Sequence, residues 1–303
     1  MKRKDILGIK DLSRSELDEI LRLADGMRDM IDRHERSNSL RGKNVATLFY
    51  ENSTRTRNSF ETAAKNLGAT TTSVSVATSS VQKGESLIDT GKTLDAIGMN
   101  CMIIRHSVAG APRLLADNVT ASVINAGDGM RAHPSQALLD VFSAKRKFGD
   151  VSGLNVVIVG DIKHSRVARS DVLAFTKLGA SVTVCAPYSL MPAGMDTLGA
   201  TVETDFDAAL DGANIVMPLR IQFERMTQAY FSTIEEYHRY YGVTEERLRR
   251  AAADAVVMHP APINRGAEID GDVADGERSL ICDQVTNGVA VRMAMLELLL
   301  SDN

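Results

Sequence analysis

The sequence predicts an α/β protein built from two doubly wound parallel-sheet domains joined by long helices. Three observations carry this. Short β-rich runs alternate with helical patterns along nearly the whole chain, the signature of parallel strands covered by crossover helices. The 303 residues exceed the usual length of one domain, and no Pro/Ser-rich linker divides them. One long helical pattern at 134–147, followed by FGDVSG, reads as a helix crossing from one half to the other, with the boundary near 147–152.

In order, the opening MKRKDILGIKDLSRSELDEIL is basic, then charged and amphipathic, without the continuous apolar run of a signal peptide. VATLFY (45–50) is an apolar run with strand character, and the segment 54–67 behind it carries apolar residues at three-to-four spacing, a helix. TTSVSV (71–76) reads as a strand from its Thr and Val, 85–97 as a helix, and CMIIR (101–105) and SVINA (122–126) as strands. The second half repeats the alternation. NVVIVG (155–160), SVTVCA (181–186), NIVMPL (214–219) and AVVMH (255–259) read as strands, and 166–178 and 244–253 as helices. Pro218 removes a ladder hydrogen bond from an inner strand, so that strand is expected to be shorter than its apolar run. The tail reads as an amphipathic helix from about Val289, and its pattern does not say which half it packs against.

A formal charge of −4 gives no global basic field, which disfavours nucleic-acid and polybasic membrane partners; any anion site is local. Six tyrosines, eight phenylalanines and no tryptophan leave few platforms for base stacking. Cys101, Cys185 and Cys282 make no CxxC spacing, so neither a zinc site nor a disulfide framework is suggested. No run approaches the length of a membrane span. These features point to a soluble protein of the reducing cytoplasm.

Four strands run into polar, arginine-bearing turns: LFYENSTRTR, MIIRHS, VGDIKHSRVAR and VMPLRIQFER. In open parallel sheets such carboxyl-end turns converge on a ligand crevice. A helix opening at Thr54 offers free backbone N–H groups and a positive dipole end, to which Ser53, Thr54 and Arg55 add directed donors. That set suits phosphate. The plainer reading makes Ser53 or Thr54 an N-cap and Arg55 and Arg57 solvated helix residues. Capping explains one hydroxyl, however, and cations in a first helical turn are mildly unfavourable, so two arginines there suggest an anionic ligand.

STRTR, SSVQKGES, IRHS, NAGDGMRAHPSQALLD, GDIKHSRVARS, LRIQFER and MHPAPINRGAEI together resemble, in the same order, the catalytic chains of the aspartate carbamoyltransferase family, and the likeness covers essentially the whole chain. Ala261 stands where the enteric form has leucine, Asn52 and Asn58 replace a proline and an aromatic around STRTR, and Ser135 replaces a threonine but keeps the hydroxyl. The resemblance implies a carbamoyl phosphate domain at 1–146 plus the C-terminal helix 285–303, and an aspartate domain at 147–284. It implies that Ser53, Thr54, Arg55 and Thr56 hold the phosphate, with Arg105, His133 and Gln136 near the carbamoyl group and main-chain groups at Ala261 and Pro262 on its amide. Arg166, Arg220 and Gln222 would hold the aspartate carboxylates. A loop carrying Ser79 and Lys83 would reach a neighbouring subunit's site in a homotrimer. Arg55, Thr56, Lys83, Arg105 and His133 are the implied catalytic set, with no metal or organic cofactor. Feedback regulation and association with a regulatory chain or a dihydroorotase partner are left open.

Each residue also has a plainer reading. His133 alone reads as a helix-start histidine, Arg105 as an edge arginine in a weak surface pair, and Lys83 as a solvated loop lysine. Arg166 and Arg169 lie three apart, so only one is expected to point inward, and the resemblance selects Arg166. His259 and Pro260 read as structural. An ornithine carbamoyltransferase is the nearest rival, disfavoured because HPAP stands where those enzymes carry HCLP and no SMG loop is present. A dinucleotide-binding module is disfavoured because Gly160 is the only glycine after its strand. An inactive scaffold should have lost catalytic donors, and none of those named is lost.

Overall fold

The computed structural model describes residues 3–75, 84–222 and 231–301. They fall into two compact units, 1–142 with 286–303, and 143–285. All strand pairs in both sheets are parallel.

The first unit runs α1 (Arg14–Asp32), β1 (Asn44–Phe49), α2 (Thr54–Asn66), β2 (Thr70–Ser75), α3 (Leu87–Ile97), β3 (Cys101–His106), α4 (Ala111–Ala116), β4 (Ser122–Asp128) and α5 (Pro134–Phe148), whose last turns belong to the second unit. Its sheet has the order β2-β1-β3-β4. α1 starts with a complete capping box, in which the Ser13 hydroxyl accepts from the Glu16 N–H and the Glu16 carboxylate accepts from the Ser13 N–H. The helix buries Leu17, Ile20, Leu21 and Ala24, one face of a 3.6-residue period. Along β1 and β3 the strand period of two sends Ala46, Leu48, Met102 and Ile104 into a cluster with Leu94, Leu115 and Val119.

The second unit contains β5 (Asn155–Gly160), α6 (Arg166–Lys177), β6 (Ser181–Cys185), β7 (Ala200–Glu203), α7 (Phe206–Leu210), β8 (Ile215–Leu219), α8 (Ile234–Tyr241), α9 (Glu245–Leu248), β9 (Val256–Val257) and α10 (Gly271–Ala274). Sheet order is β7-β6-β5-β8-β9. Val157, Val159, Val216 and Val257 pack on Phe206, Leu210, Leu248 and Ile269. The closing helix α11 (Ile281–Leu300) starts in this unit and continues in the first.

Several sequence readings need correction. α11 begins eight residues before Val289 because Gly288, which looks like a turn residue, is helical. A Cβ there would meet Arg292 Nη1 at 2.4 Å and Leu139 Cδ2 at 3.1 Å. Of the helix expected at 244–253 only α9 forms. Beyond it Arg250 and Ala251 donate to carbonyls three residues back, and Ala252 N–H then pairs with Ala213 O on the way to β9. β9 is shorter than 255–259 because the chain leaves the ladder to build the loop at 259–264. β8 keeps its length through Pro218, which pairs in register with Val159. Its ladder with β9 has already ended at Val216, so the proline interrupts no bond on that side.

Candidate active site

Each sheet has one topological switch point. From β1 the chain builds outward to β2, then returns to place β3 on the other flank of β1; from β5 it builds to β6 and β7, then returns to place β8 beside β5. The loops leaving β1 and β3, and those leaving β5 and β8, therefore diverge and open a crevice at the carboxyl ends of the strands. The described parts of the four arginine-bearing turns, the last of them only as far as Gln222, sit at these two places.

In the first unit, Ser53 occupies the N-cap position of α2 but its hydroxyl makes no capping hydrogen bond. The cap side chains Ser13, Ser86, Ser165, Thr233 and Thr244 of other helices all accept from their helix. Ser53 is half-buried, Thr54 and Arg55 are exposed, and Thr56 is buried. Arg105, at the carboxyl end of β3 and in register with Phe49, is only 14% exposed. Its Nε donates to Glu51 Oε2 at 3.2 Å and its Nη1 reaches Ala126 O at 3.5 Å. It is thus tied to the turn after β1 and to β4. His133 is buried where α5 begins, its carbonyl accepting from Gln136 and Ala137 and its Nδ1 lying 3.4 Å from Ser135 Oγ.

Gln136, in the first turn of α5, donates through Nε2 to both oxygens of the buried Asp140 at 3.0 and 3.2 Å. An ionised carboxylate only accepts, so this fixes the amide with its NH2 inward. From α11, the buried Arg292 donates to Ser59 Oγ at 3.0 Å and stacks over Phe60, 5.1 Å from the ring centre. Burial pulls its guanidinium down to about 10; Asp140 opposes that and Arg55 adds to it. Arg292 therefore shares a field with the cation assigned to phosphate. Glu51, Asp140 and Arg292 were not singled out from the sequence. For Glu51 the available signal was an acid immediately ahead of a run of hydroxyls and arginines; the other two lie on apolar helices with no local cue.

In the second unit, Gly160 closes β5 with φ 124°, and a Cβ there would lie 2.9 Å from Leu219 O, so the glycine permits close approach of β5 and β8. Asp161 follows, fully buried. Its Oδ1 accepts from the His164 backbone and ring Nδ1 at 3.1 and 2.8 Å, and its Oδ2 from the Gln222 N–H at 3.3 Å. One carboxylate thereby links the turns after β5 and β8. Arg166 is buried at the first position of α6. Arg169 donates to the carbonyls of Ile162, Lys163 and Ser165 at 3.4, 3.1 and 2.8 Å, which engages its guanidinium with the turn. Arg220 and Gln222, just past β8, are half-buried. Ala261 and Pro262 lie in the loop beyond β9, half-buried and exposed respectively. Ser79 and Lys83 lie outside the described residues.

A surface depression lined by Arg3, Lys4, Asp5, Asp11, Glu16 and Arg113 is a poor competitor, since Arg3 pairs with Glu16 at 2.6 Å and Arg113 with Asp11 at 3.2 Å in its wall. Among the described residues no group of His, Cys, Asp and Glu has the makeup of a metal centre.

Two family models match the chain: the aspartate/ornithine carbamoyltransferase carbamoyl-P binding domain over residues 4–146, and the aspartate/ornithine carbamoyltransferase Asp/Orn binding domain over 152–299. The aspartate carbamoyltransferase catalytic subunit of Acetivibrio thermocellus is 54% identical over 300 residues, covering 99% of this chain and 96% of the relative. A crystal structure of Trypanosoma cruzi aspartate transcarbamoylase in complex with carbamoyl phosphate and aspartate is similar with a TM-score of 0.89 at 30% identity, covering 99% of this chain and 97% of that one. An ornithine carbamoyltransferase from Thermus thermophilus reaches 0.88 at 27% identity, covering 99% and 100%.

Proposed function

The chain belongs to the aspartate/ornithine carbamoyltransferase family, and from that premise we propose that it is an aspartate carbamoyltransferase, moving the carbamoyl group of carbamoyl phosphate to the amine of L-aspartate with release of phosphate. The observation that carries the choice of acceptor is the 54% identity, over 99% of the chain, to an aspartate carbamoyltransferase catalytic subunit. Fold similarity does not separate aspartate from ornithine, because the TM-scores of 0.89 and 0.88 are nearly equal.

The chemistry asks for what these turns contain. Carbamoyl phosphate is an acyl phosphate. Attack by the amine nitrogen forms the new C–N bond and places negative charge first on the carbonyl oxygen; cleavage of the C–O bond then moves it to the leaving phosphate. Donors aimed at those oxygens lower the barrier, and removing one costs about 2.7–4 kcal/mol in comparable sites. Ser53, Thr54, Arg55 and Thr56 cradle the phosphate at the start of α2, where the backbone N–H groups of a first helical turn have no intrahelical acceptor and point toward an anion. Arg105 and His133 face the carbonyl and anhydride oxygens. Gln136, with its NH2 held by Asp140, turns its carbonyl toward the carbamoyl amide. In the second unit Arg166 and Arg220 offer planar forks to two carboxylates, assisted by Gln222, a geometry lysine does not reproduce. Orienting two small reactants supplies roughly 7–11 kcal/mol of further barrier reduction.

In this reading the Ser79–Lys83 loop serves a neighbouring subunit's site in a homotrimer, and the protein works in the cytoplasm at the second step of pyrimidine synthesis. Among the described residues no helix is long and apolar enough to cross a membrane. The purified chain should convert carbamoyl phosphate and L-aspartate to N-carbamoyl-L-aspartate and phosphate. Product with ornithine and none with aspartate would overturn the acceptor.

A further inference from the structure

Beyond β9 the backbone N–H groups of residues 259, 261 and 264 are taken by buried or partly buried side chains. His259 N–H donates to Gln284 Oε1 at 2.8 Å, Ala261 N–H to His259 Nδ1 at 2.7 Å, and Asn264 N–H to Glu268 Oε1 at 2.5 Å. His259 Nε2 lies 3.4 Å from that same Glu268 oxygen, with both side chains at 1% exposure or less. Because Nδ1 accepts from an amide, the ring proton belongs on Nε2, where the carboxylate faces it. The imidazole thus has one defined tautomer and one defined orientation.

What it holds is unusual backbone. Ala261 has φ 51°, a left-handed conformation uncommon for a residue with a Cβ, which persists only where its surroundings enforce it. The short bond to Nδ1 is such an enforcement. It spans two residues, so it fixes the loop locally, while Gln284 anchors the His259 backbone and the Glu268 carboxylate lies beside Nε2. Ala261 and Pro262 meanwhile stay accessible.

We propose that His259 is a positioning residue for the transferred carbamoyl group, its Nδ1 lone pair holding the Ala261 main chain in the conformation that presents the 261–262 backbone to the carbamoyl amide. This rests on the reading of Ala261 and Pro262 as main-chain contacts of carbamoyl phosphate, and it goes beyond the structural part that the sequence assigned to His259. The ring touches no substrate; it acts through the backbone it orients.

Two near-isosteric variants separate this from space filling. In His259→Asn the side-chain oxygen falls near the position of Nδ1 and can still accept from Ala261, whereas in His259→Gln the polar group reaches the position of Nε2 and leaves the Ala261 N–H without its acceptor. With aspartate saturating, kcat/KM for carbamoyl phosphate should stay within about threefold of wild type in His259→Asn and fall by at least about tenfold in His259→Gln, the scale of one buried hydrogen bond. Melting curves establish that each variant is folded. Equal losses in two folded variants would overturn the proposal, as would a tenfold loss in folded His259→Asn or its failure to fold. If His259→Gln alone fails to fold, His259→Asn against wild type decides. A wild-type chain inactive with aspartate would defeat the proposed acceptor instead, and calorimetric titration of carbamoyl phosphate into the same proteins would still read the positioning effect.

Discussion

Arg105 leaves the end of β3 with its guanidinium already tied to a carboxylate in the turn after β1. Its place at the end of CMII put it at a crevice, but its partner, Glu51 at 3.2 Å, lies 54 residues away in sequence and no local pattern joins the two. The same holds for Asp140 under Gln136 and Asp161 under Gln222: each acid is an ordinary letter on a helix or loop, and only the fold turns it into an acceptor for a residue of the candidate site. The donors proposed for an anionic ligand were legible because hydroxyls and guanidiniums cluster along the chain. The carboxylates that orient them were not, because orientation is a tertiary property. Arg166 and Arg169 were separable only in part: spacing predicts that one points inward, and the carbonyl bonds of Arg169 show which one the turn takes. Arg55 and Arg220 stand in different units, which makes a clean test. Arg55→Ala should weaken carbamoyl phosphate binding in the absence of aspartate by about 1.5–3 kcal/mol, the value of a hydrogen bond to a charged group, while Arg220→Ala should leave it unchanged. Calorimetric titration reads both, and equal losses would mean the site is divided incorrectly.

Helices and strands were easiest to read where they are long and two-sided. β1, β3, β4 and β5 are nearly continuous apolar runs, as expected of strands buried on both faces. β7 escaped notice because its outer residues Thr201 and Val202 are exposed and its four-residue length gives little periodicity. The start of α11 was hidden by Gly288, whose presence reflects the space needed by Arg292 rather than a turn. At α2 the sequence left two readings of Ser53, a cap or a ligand donor, and its hydroxyl makes no capping bond. The consequence is a contrast between two helices. Ser13→Ala removes a formed capping box and should lower unfolding stability by about 1 kcal/mol. Ser53→Ala removes no such bond and should cost stability only a few tenths of that, yet should weaken carbamoyl phosphate binding by about 1 kcal/mol. Denaturant melts paired with titrations measure both, and a Ser53→Ala variant destabilised as much as Ser13→Ala with intact binding would return Ser53 to the role of a simple cap.

At the scale of the whole molecule, the chain repeats one solution twice: a parallel sheet that builds to one side, returns, and opens a switch point where polar turns gather. That repetition was visible in the alternation of β-rich and helical segments, since period alone distinguishes the two. Assembly is not legible in such patterns, because sharing of sites between chains would leave no mark on periodicity or composition. If Lys83 serves the neighbouring subunit while Arg220 serves its own, Lys83→Ala and Arg220→Ala trimers should each be nearly inactive for different reasons. In a mixed trimer, an interface that joins a wild-type Lys83 loop to a wild-type Arg220 site is whole, and each mixed ring contains one such site. Dissociating and reassociating an equal mixture should therefore restore a sizeable fraction of wild-type activity, whereas either variant taken through the same cycle alone should recover none. The requirement is a closed cyclic ring of head-to-tail contacts, in which every loop meets a different chain. Hybrids verified by native mass spectrometry that regain no activity would place Lys83 in its own subunit's site or return it to a solvated loop.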